Sequence, residues 1–223
     1  MASNDSTMPQ GQPAKVDDSS SSPAPQSNQP AETANTGVSD CNKKIVFKHF
    51  QKQVALEHRK ILRLHGLRTE AASEDITDLV DLVKARPLFE CVRNPALVFE
   101  PFYFFFYGSL QDPEVLVSVC ELSDPNPTLK HGTIKDWRAM MWGPYPALVP
   151  QEDSEVKGMY WKCEKPIHVD YLRRYESSAY RMEFCTITTD DGEVIENGRV
   201  FVAQDLDDLV EGTFDLKAFM RRN

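Results

Sequence analysis

The chain has 223 residues, which is enough for one globular domain and an accessory segment. Its formal net charge of −9 argues against nucleic acid as a partner, because phosphate binding needs clustered Lys and Arg side chains. Hydrophobic residues make up 41% of the chain, yet no apolar run is long enough to cross a bilayer, so we expect no integral association with a membrane.

The N-terminal segment, residues 1–42, contains no Phe, Tyr or Trp and is built mostly from small and polar residues. Such a segment cannot bury enough apolar area to offset its chain entropy, so it is predicted to be a disordered tail. It also lacks the apolar stretch of a secretory signal. The five cysteines are dispersed without a CxxC pair, which is typical of reduced thiols. We therefore expect a cytoplasmic protein without a metal site.

Residues 43–100 are predicted to form a helical extension. Between residues 43 and 68, apolar residues recur at three- and four-residue spacing with Lys and Arg between them, which indicates a helix with a basic outer face. Such a helix either binds a protein partner or a membrane surface, or packs on the domain with its charges in water. A second helix is expected to begin with Ser73 as its N-cap and to end before Pro87.

The domain proper, residues 101–223, begins with an aromatic run. Residues 102–107 are too short and too aromatic for an amphipathic helix, so we expect a central strand buried on both faces that ends at Gly108. Asp112 as N-cap and Pro113 at the first helical position predict that a helix follows directly.

Strands and helices continue to alternate along the rest of the domain. We expect a strand kinked at Gly132, an irregular or edge segment at residues 143–150, a strand over 155–163, a helix that ends near Ser177, two strands joined by an Asp-Gly turn at 191–192, and a C-terminal helix. This order predicts an α/β (α+β) domain whose sheet curls toward a barrel.

The turn after the aromatic strand is the first candidate site. A strand that enters Gly-Ser ahead of a helix leaves backbone N–H groups free to bind a carboxylate or an oxyanion. Gly108 would permit an unusual backbone dihedral and a close approach of ligand, and Ser109 adds a hydroxyl. The alternative is a turn that merely caps itself. A Ser109 nucleophile is disfavoured, because the sequence is not the GxSxG elbow.

Glu176 is the second candidate. It follows a predicted helix and lies among several tyrosines. An aromatic surround would desolvate its charged form and raise its pKa, as general acid–base work near neutral pH requires. The alternative is a surface ion pair with Arg173 or Arg181.

Taken together and in this order, the pieces resemble the gamma-glutamyl cyclotransferase-like proteins, specifically the AIG2-like branch. The resemblance covers residues 102–222 and rests on four stretches: FFFYGSLQDPEVL, GPYPALVPQEDSEVKGMYW, YLRRYESSAYRMEFCTI and FVAQDLDDLVEGTFDLKAFMRR. It implies a small mixed β-barrel flanked by helices, with a cavity at one end.

The resemblance also implies an activity, which is the cyclisation of a small-molecule γ-glutamyl amine or peptide to 5-oxoproline. Glu176 matches the position of the family's general acid–base, and no cofactor is expected. The implied substrate loop comprises Tyr107, Gly108, Ser109, Leu110, Gln111 and Asp112, with Tyr145 and Tyr180 as candidate pocket residues and a specificity pocket along residues 133–161.

The sequence departs from the family pattern near the candidate acid–base. Ser177 follows Glu176 where the family usually has Gly, and Phe214-Asp215 stands in place of Trp-Asp. An alternative function is therefore a catalytically degenerate member that binds a ligand or a partner, through the cavity or through the 43–68 helix. A third is transfer of the γ-glutamyl group, with a dipeptide as the product.

Overall fold

The computed structural model describes residues 40–69 and 76–221, with side chains from residue 52 onward. The predicted disordered tail, residues 1–42, lies outside this description except for residues 40–42, which begin the first helix. The predicted N-cap Ser73 also lies outside it. The described residues from Cys41 onward belong to one compact unit.

The described residues contain two β-sheets. The strands are β1 (Leu67–Thr69), β2 (Leu97–Phe99), β3 (Phe102–Phe106), β4 (Lys130–Trp142), β5 (Tyr145–Cys163), β6 (Tyr180–Thr189) and β7 (Val194–Ala203). Strands β1 and β2 pair with each other, while the other five close into a barrel in the order β3-β5-β4-β6-β7. Every neighbouring pair in the barrel is antiparallel except β3 and β7, which are parallel. The predicted mixed barrel and α+β class are confirmed.

Helices flank the barrel. They are α1 (Asp40–Leu64), α2 (Ile76–Ala85), α3 (Leu88–Cys91), α4 (Pro113–Cys120), α5 (Pro166–Glu176) and α6 (Leu216–Met220), with 3₁₀ turns at Ser109–Gln111 and Ser177–Ala179. The helices predicted after Asp112 and before Ser177 are confirmed. None of the helices in the described ranges is long and apolar enough to span a bilayer.

Strand β3 is buried on both faces, as its aromatic run predicts. Phe104 and Phe106 belong to the core under the helices, whereas Phe105 belongs to the core inside the barrel with Ile134 and Ile187. Because β3 has β5 on one side and β7 on the other, its ladder is satisfied along both edges. Burial of each Phe contributes on the order of 1.5–3 kcal/mol. The strand is therefore a fixed support for the turn that follows it.

The predicted kink of β4 at Gly132 is wrong. Gly132 lies in regular pairing opposite Gly158, and its missing side chain makes room for Ile187, whose Cγ2 would lie 3.0 Å from an added Cβ. The register of the β4–β5 pair instead shifts between Lys135 and Trp137, where Asp136 has a positive φ of 64°. The irregularity in β4 is therefore a β-bulge at Asp136, and the strand is regular at Gly132.

Residues 143–150, predicted to be irregular or an edge, form the turn before β5 and its first residues. From Tyr145 to Pro150 the strand pairs with β4 alone, and its pairing with β3 begins only at Met159. This part of β5 is therefore an edge, where prolines are tolerated because their nitrogens can face the side that has no partner strand.

The C-terminal end of α1 is attached to the barrel by a buried arginine. Arg199 on β7 donates from Nε to the Leu64 carbonyl at 2.8 Å and from Nη2 to the Arg63 carbonyl. Its guanidinium lies between the rings of Phe102 and Phe184, with 4.3 Å and 4.5 Å to their centroids. These carbonyls lie at the end of a helix, where carbonyls lack intrahelical partners. The Arg63 carbonyl also accepts from the Gly66 N–H at 2.9 Å, and Arg199 supplies a donor to both carbonyls. This end of α1 packs on the domain.

Candidate functional site

A cavity of about 530 Å³ opens where β3 ends, at one end of the barrel. Its walls come from the β3–α4 connection, the start of β5, the end of α5 and helix α6. Seven of the nine predicted site residues line it: Tyr107, Gly108, Ser109, Leu110, Tyr145, Glu176 and Tyr180. The fold therefore brings together residues that are up to 73 positions apart in the chain, from Tyr107 to Tyr180.

Tyr107 fixes the start of the turn. Its hydroxyl donates to the Phe201 carbonyl at 2.8 Å and accepts from the Leu148 N–H at 3.2 Å. Burial, together with the nearby Glu176, raises the pKa of the Tyr107 phenol well above its usual value. Tyr107 is thus a neutral tether between β3, β5 and β7, and its proton is already engaged by a backbone carbonyl.

Gly108 serves the turn through its small size. Its backbone has φ −111° and ψ −145°, so it does not use the positive φ that glycine permits. A Cβ at Gly108 would lie 3.2 Å from Pro146 Cγ, a tight contact against the edge of β5. Glycine is thus suited to this position because the turn passes close to Pro146.

The turn presents two backbone donors at the cavity. Ser109 and Leu110 begin a 3₁₀ turn, so their N–H groups have no acceptor within that turn. Within the described residues, neither N–H donates to another backbone carbonyl. The Ser109 hydroxyl shares a hydrogen bond with the Tyr175 hydroxyl at 2.8 Å, and no described histidine forms with it the hydrogen bond that a nucleophilic serine needs.

Gln111 and Asp112 do not line the cavity. The Gln111 side chain donates from Nε2 to the Gly108 carbonyl at 3.1 Å. Asp112 caps α4 as its sequence predicts, because its Oδ1 accepts from the Glu114 and Val115 N–H groups at 2.9 and 3.3 Å. Both side chains therefore stabilise the turn from outside the cavity.

Glu176 lies at the last position of α5 and is half-buried, with its side chain lining the cavity. The alternative of a surface ion pair does not occur. Arg173 lies 4.0 Å from Asp170, and Arg181 pairs with Glu183 at 3.0 Å. No residue in the described part of the chain forms an ion pair or hydrogen bond with the Glu176 carboxylate. Burial alone raises the pKa of Glu176 to about 7.

Tyr180 and Tyr145 form part of the wall near Glu176. The Tyr180 hydroxyl donates to the Pro146 carbonyl at 3.0 Å, and burial, Glu176 and Tyr145 raise its pKa to about 12. Tyr180 is therefore protonated at neutral pH, and its proton is directed at the backbone. Tyr145 is half exposed and its ring packs edge-on against Phe219.

Sequence reasoning missed part of the cavity mouth. From α6, Phe219 and Met220 complete the wall beside Tyr175, which is one of the tyrosines near Glu176 in the sequence. A signal for α6 was present, since Asp215 is its N-cap and accepts from the Ala218 N–H at 3.0 Å. The pattern predicts the helix, but contacts between distant segments decide which face the cavity uses.

The lining is apolar and aromatic, and Glu176 is its one charged residue among those described. No cluster of three or more His, Cys, Asp or Glu side chains suited to a metal ion occurs in the described ranges. At one end of a mixed barrel, a single cavity is thus lined by a carboxyl group without an ion pair or hydrogen bond to any described residue and by two backbone amides that donate to no described backbone carbonyl. Such a site can bind a carboxylate or oxyanion and move a proton.

A family model described as gamma-glutamyl cyclotransferase, AIG2-like matches residues 104–216. The chain belongs to this family, whose name denotes enzymes of the cyclotransferase kind. The match includes the turn after β3 and Glu176, and it ends inside α6.

Solved structures of similar fold include a protein of Arabidopsis thaliana, 22% identical, with a TM-score of 0.45 over 56% of this chain and 83% of that one. An AIG2-like protein from Mus musculus is 12% identical, with a TM-score of 0.41 over 52% and 87% of the two chains. A gamma-glutamyl cyclotransferase is 18% identical, with a TM-score of 0.39 over 48% and 68%. No curated protein sequence gives a significant match.

Proposed function

We propose that the protein is a γ-glutamylcyclotransferase, which closes the γ-glutamyl group of a small amine or peptide to 5-oxoproline and releases the amine or amino acid. The observation that carries this proposal is the unpaired Glu176 carboxyl in the same cavity as the free amides of Ser109 and Leu110. Membership of the family supports the same reaction.

The reaction moves protons within one substrate. The α-ammonium gives up a proton, and its nitrogen attacks the γ-carbonyl carbon to form the lactam C–N bond. The bond to the leaving nitrogen then breaks as that nitrogen is protonated, so the released amine carries away the protons that the ring nitrogen loses. Because the nucleophile is tethered to the carbonyl, folding the chain into an attack geometry supplies several kcal/mol of the barrier.

Glu176 is proposed as the general acid–base that carries these protons. A pKa of about 7 means that both its forms are populated near neutral pH. The carboxylate accepts a proton from the ammonium, and the resulting carboxylic acid returns a proton to the leaving nitrogen. A group with a pKa near the working pH performs both steps well.

The turn after β3 is proposed to hold the substrate. The amides of Ser109 and Leu110 would bind the α-carboxylate of the glutamyl group and stabilise the γ-oxyanion. Gly108 keeps the turn close to Pro146, and Tyr107 ties it to the barrel. In our proposal Gln111 and Asp112 contribute to substrate binding indirectly, through the contacts that hold the turn.

The direct test is to incubate the purified protein with a γ-glutamyl amine and with a γ-glutamyl dipeptide and to measure 5-oxoproline. We expect release with at least one substrate and a loss of 100-fold or more, on the order expected for removal of an acid–base group, in Glu176→Gln. The matched control is Glu114→Gln, an exposed carboxylate on α4 that lies outside the cavity.

Three results would contradict the proposal. No 5-oxoproline from the wild type, with a γ-glutamyl compound still bound, would assign the cavity to a binding module. A γ-glutamyl dipeptide as the product would assign it to group transfer. Full activity in Glu176→Gln would remove Glu176 from the mechanism.

Two further expectations become proposals here. We propose a cytoplasmic location, supported by the free thiols of Cys91, Cys120, Cys163 and Cys185, which are all buried without a disulfide. We also propose that the basic segment 43–68, whose helical part ends at Leu64 because Leu67 and Arg68 belong to β1, offers a surface to a protein partner. Its described part carries exposed Lys and Arg side chains, while Leu62 is buried against the domain.

A further inference from the structure

A second concave surface lies on the outside of the barrel, where α2, α5 and β6 approach one another. We call it the basic groove and define it by Lys84, Arg86, Arg173, Arg174 and Arg181. Its volume is about 820 Å³. Among the described residues that line it, Asp170 is the only acidic one, so basic side chains outnumber acidic ones there by five to one. This concentration of positive charge occurs on a chain whose net charge is −9.

The acidic partners available to the groove are already engaged. Asp170 is buried, and its Oδ2 accepts from the Leu88 N–H at 2.6 Å, so its main role is to attach α3 to α5. Arg181 pairs with Glu183 and donates from Nη1 to the Ala203 carbonyl at 2.7 Å. Arg173 has only the 4.0 Å contact with Asp170.

Lys84, Arg86 and Arg174 have no such partner. Their side chains are exposed, and none of them forms a hydrogen bond or ion pair with any residue in the ranges 52–69 and 76–221. Like charges that converge without counter-charges repel each other. A groove with three uncompensated cations is therefore stabilised when an anion enters it.

Helix chemistry explains only part of the cluster. Lys84 and Arg174 lie in the last turns of α2 and α5, where cations interact favourably with the helix dipole. Arg86 lies beyond the end of α2, and Arg181 begins a strand. Side chains from three separate elements and one connection thus line the same groove. The stabilisation of a single helix end does not account for this arrangement.

We propose that the basic groove binds a phosphate-bearing small molecule. A single carboxylate would match one arginine, whereas three free cations and the exposed part of Arg173 suit a multiply charged anion. The planar guanidinium presents its donors in a fork that matches phosphate oxygens. The volume lies in the range of small-ligand sites, and buried Met182 and Phe201 provide an apolar floor for an organic moiety.

The groove shares a wall with the candidate active-site cavity but is distinct from it. Ser177, Tyr180 and Phe201 line both, whereas Glu176 and the turn after β3 line the cavity alone. The proposal does not depend on the cyclotransferase chemistry, because it concerns cations that have no part in proton transfer at Glu176.

The test is titration of the full chain with inorganic pyrophosphate, followed by calorimetry at about 0.15 M salt, where surface charges are largely screened beyond about 8 Å. We expect one saturable site. The double variant Arg86→Gln/Arg174→Gln should weaken binding at least tenfold, because it removes two charge-assisted donors to the phosphate oxygens. Its thermal midpoint and 5-oxoproline release should match the wild type, since neither side chain forms an ion pair or hydrogen bond with a described residue.

The matched control is Arg59→Gln/Arg93→Gln, which removes the same charge from exposed positions outside the groove. It should leave the affinity for pyrophosphate within twofold of the wild type. The absence of saturable binding, or an equal loss in both double variants, would overturn the proposal. Binding only to phosphatidylcholine vesicles that carry phosphorylated inositol lipids, with none to free pyrophosphate, would overturn the assignment to a free small molecule.

Discussion

Two regions of the molecule hold a charged side chain away from bulk water, and they treat it in opposite ways. At the junction of α1 with the barrel, Arg199 is 4% exposed and donates to the carbonyls of Arg63, Leu64 and Asn197. Two aromatic rings cover its faces. In the cavity, Glu176 has no ion pair or hydrogen bond with any described residue. The charge of Arg199 is hydrogen-bonded by the fold, whereas that of Glu176 is not.

The pKa values express the same difference. Burial lowers the pKa of Arg199 to about 10, so the guanidinium stays charged at neutral pH and attaches the end of α1 to the barrel. Burial raises the pKa of Glu176 to about 7, so its proton is exchangeable under the same conditions. An ionisable group that lies at least half-buried and has no partner is a candidate for chemistry, whereas a buried one whose nitrogens are all hydrogen-bonded is a candidate for stability.

The largest effect is expected at the arginine. Arg199→Ala removes the buried guanidinium that donates to the Arg63, Leu64 and Asn197 carbonyls and leaves the Arg63–Asn197 side-chain hydrogen bond as the polar contact between α1 and β7, so we expect a loss of about 3–5 kcal/mol in the free energy of unfolding. Urea denaturation measures it. Arg138→Ala is the control, because Arg138 pairs with Glu211 at the surface and should cost about 1 kcal/mol or less. Equal losses in the two variants would mean that Arg199 stabilises the fold no more than a surface ion pair does.

The glutamate should behave in the opposite way. The pKa of Glu176 rises on folding from 4.5 to about 7, so the folded state holds a proton that the unfolded chain releases between those values. Wild-type stability therefore falls as pH rises through this window, and the penalty is complete above pH 7. Glu176→Gln does not titrate, so we expect it to be more stable than the wild type by about 2–3 kcal/mol at pH 8.

The check is denaturation of both proteins at pH 8 and at pH 4.5. At the lower pH the difference should vanish, because the wild-type carboxyl is then protonated in the folded state. A variant that is less stable than the wild type at pH 8 would show that Glu176 has a stabilising partner.

The sequence was informative wherever one local rule decided the structure. The aromatic run gives β3, and the Asp112 cap with Pro113 gives the start of α4. The Gly132 kink failed because the glycine is needed for packing against Ile187, and such a need depends on a strand 55 residues further along. A local sequence pattern cannot predict that contact.

The candidate site divides in the same way. Tyr107, Gly108 and Glu176 stood out through turn chemistry and through the family resemblance. That Tyr180 directs its hydroxyl at Pro146, and that Glu176 is left without an arginine, depends on how three distant segments meet. Arg199 was missed altogether, since nothing in its neighbourhood in the sequence indicates that it holds the end of α1.

A smaller effect is expected beside the glutamate. Ser177 has φ 61° and ψ −164°, a region that is strained for any residue but Gly. Ser177→Gly should raise the free energy of unfolding by about 1 kcal/mol, because the relieved strain exceeds the entropy that glycine loses. Ser178→Gly is the control and should lower stability by about 0.5–1 kcal/mol. Equal losses in both variants, measured in urea, would show that Ser177 carries no strain.

The pH dependence of kcat/KM for 5-oxoproline release tests the central claim most directly, because it reports the pKa of the essential group in the free enzyme. We predict that kcat/KM rises tenfold per pH unit at low pH and bends near pH 7, where the Glu176 carboxyl becomes ionised. A bend near pH 4.5, the ordinary value for a glutamate, or a profile that is flat from pH 5 to 8, would contradict the claim that an unpaired Glu176 carries the proton.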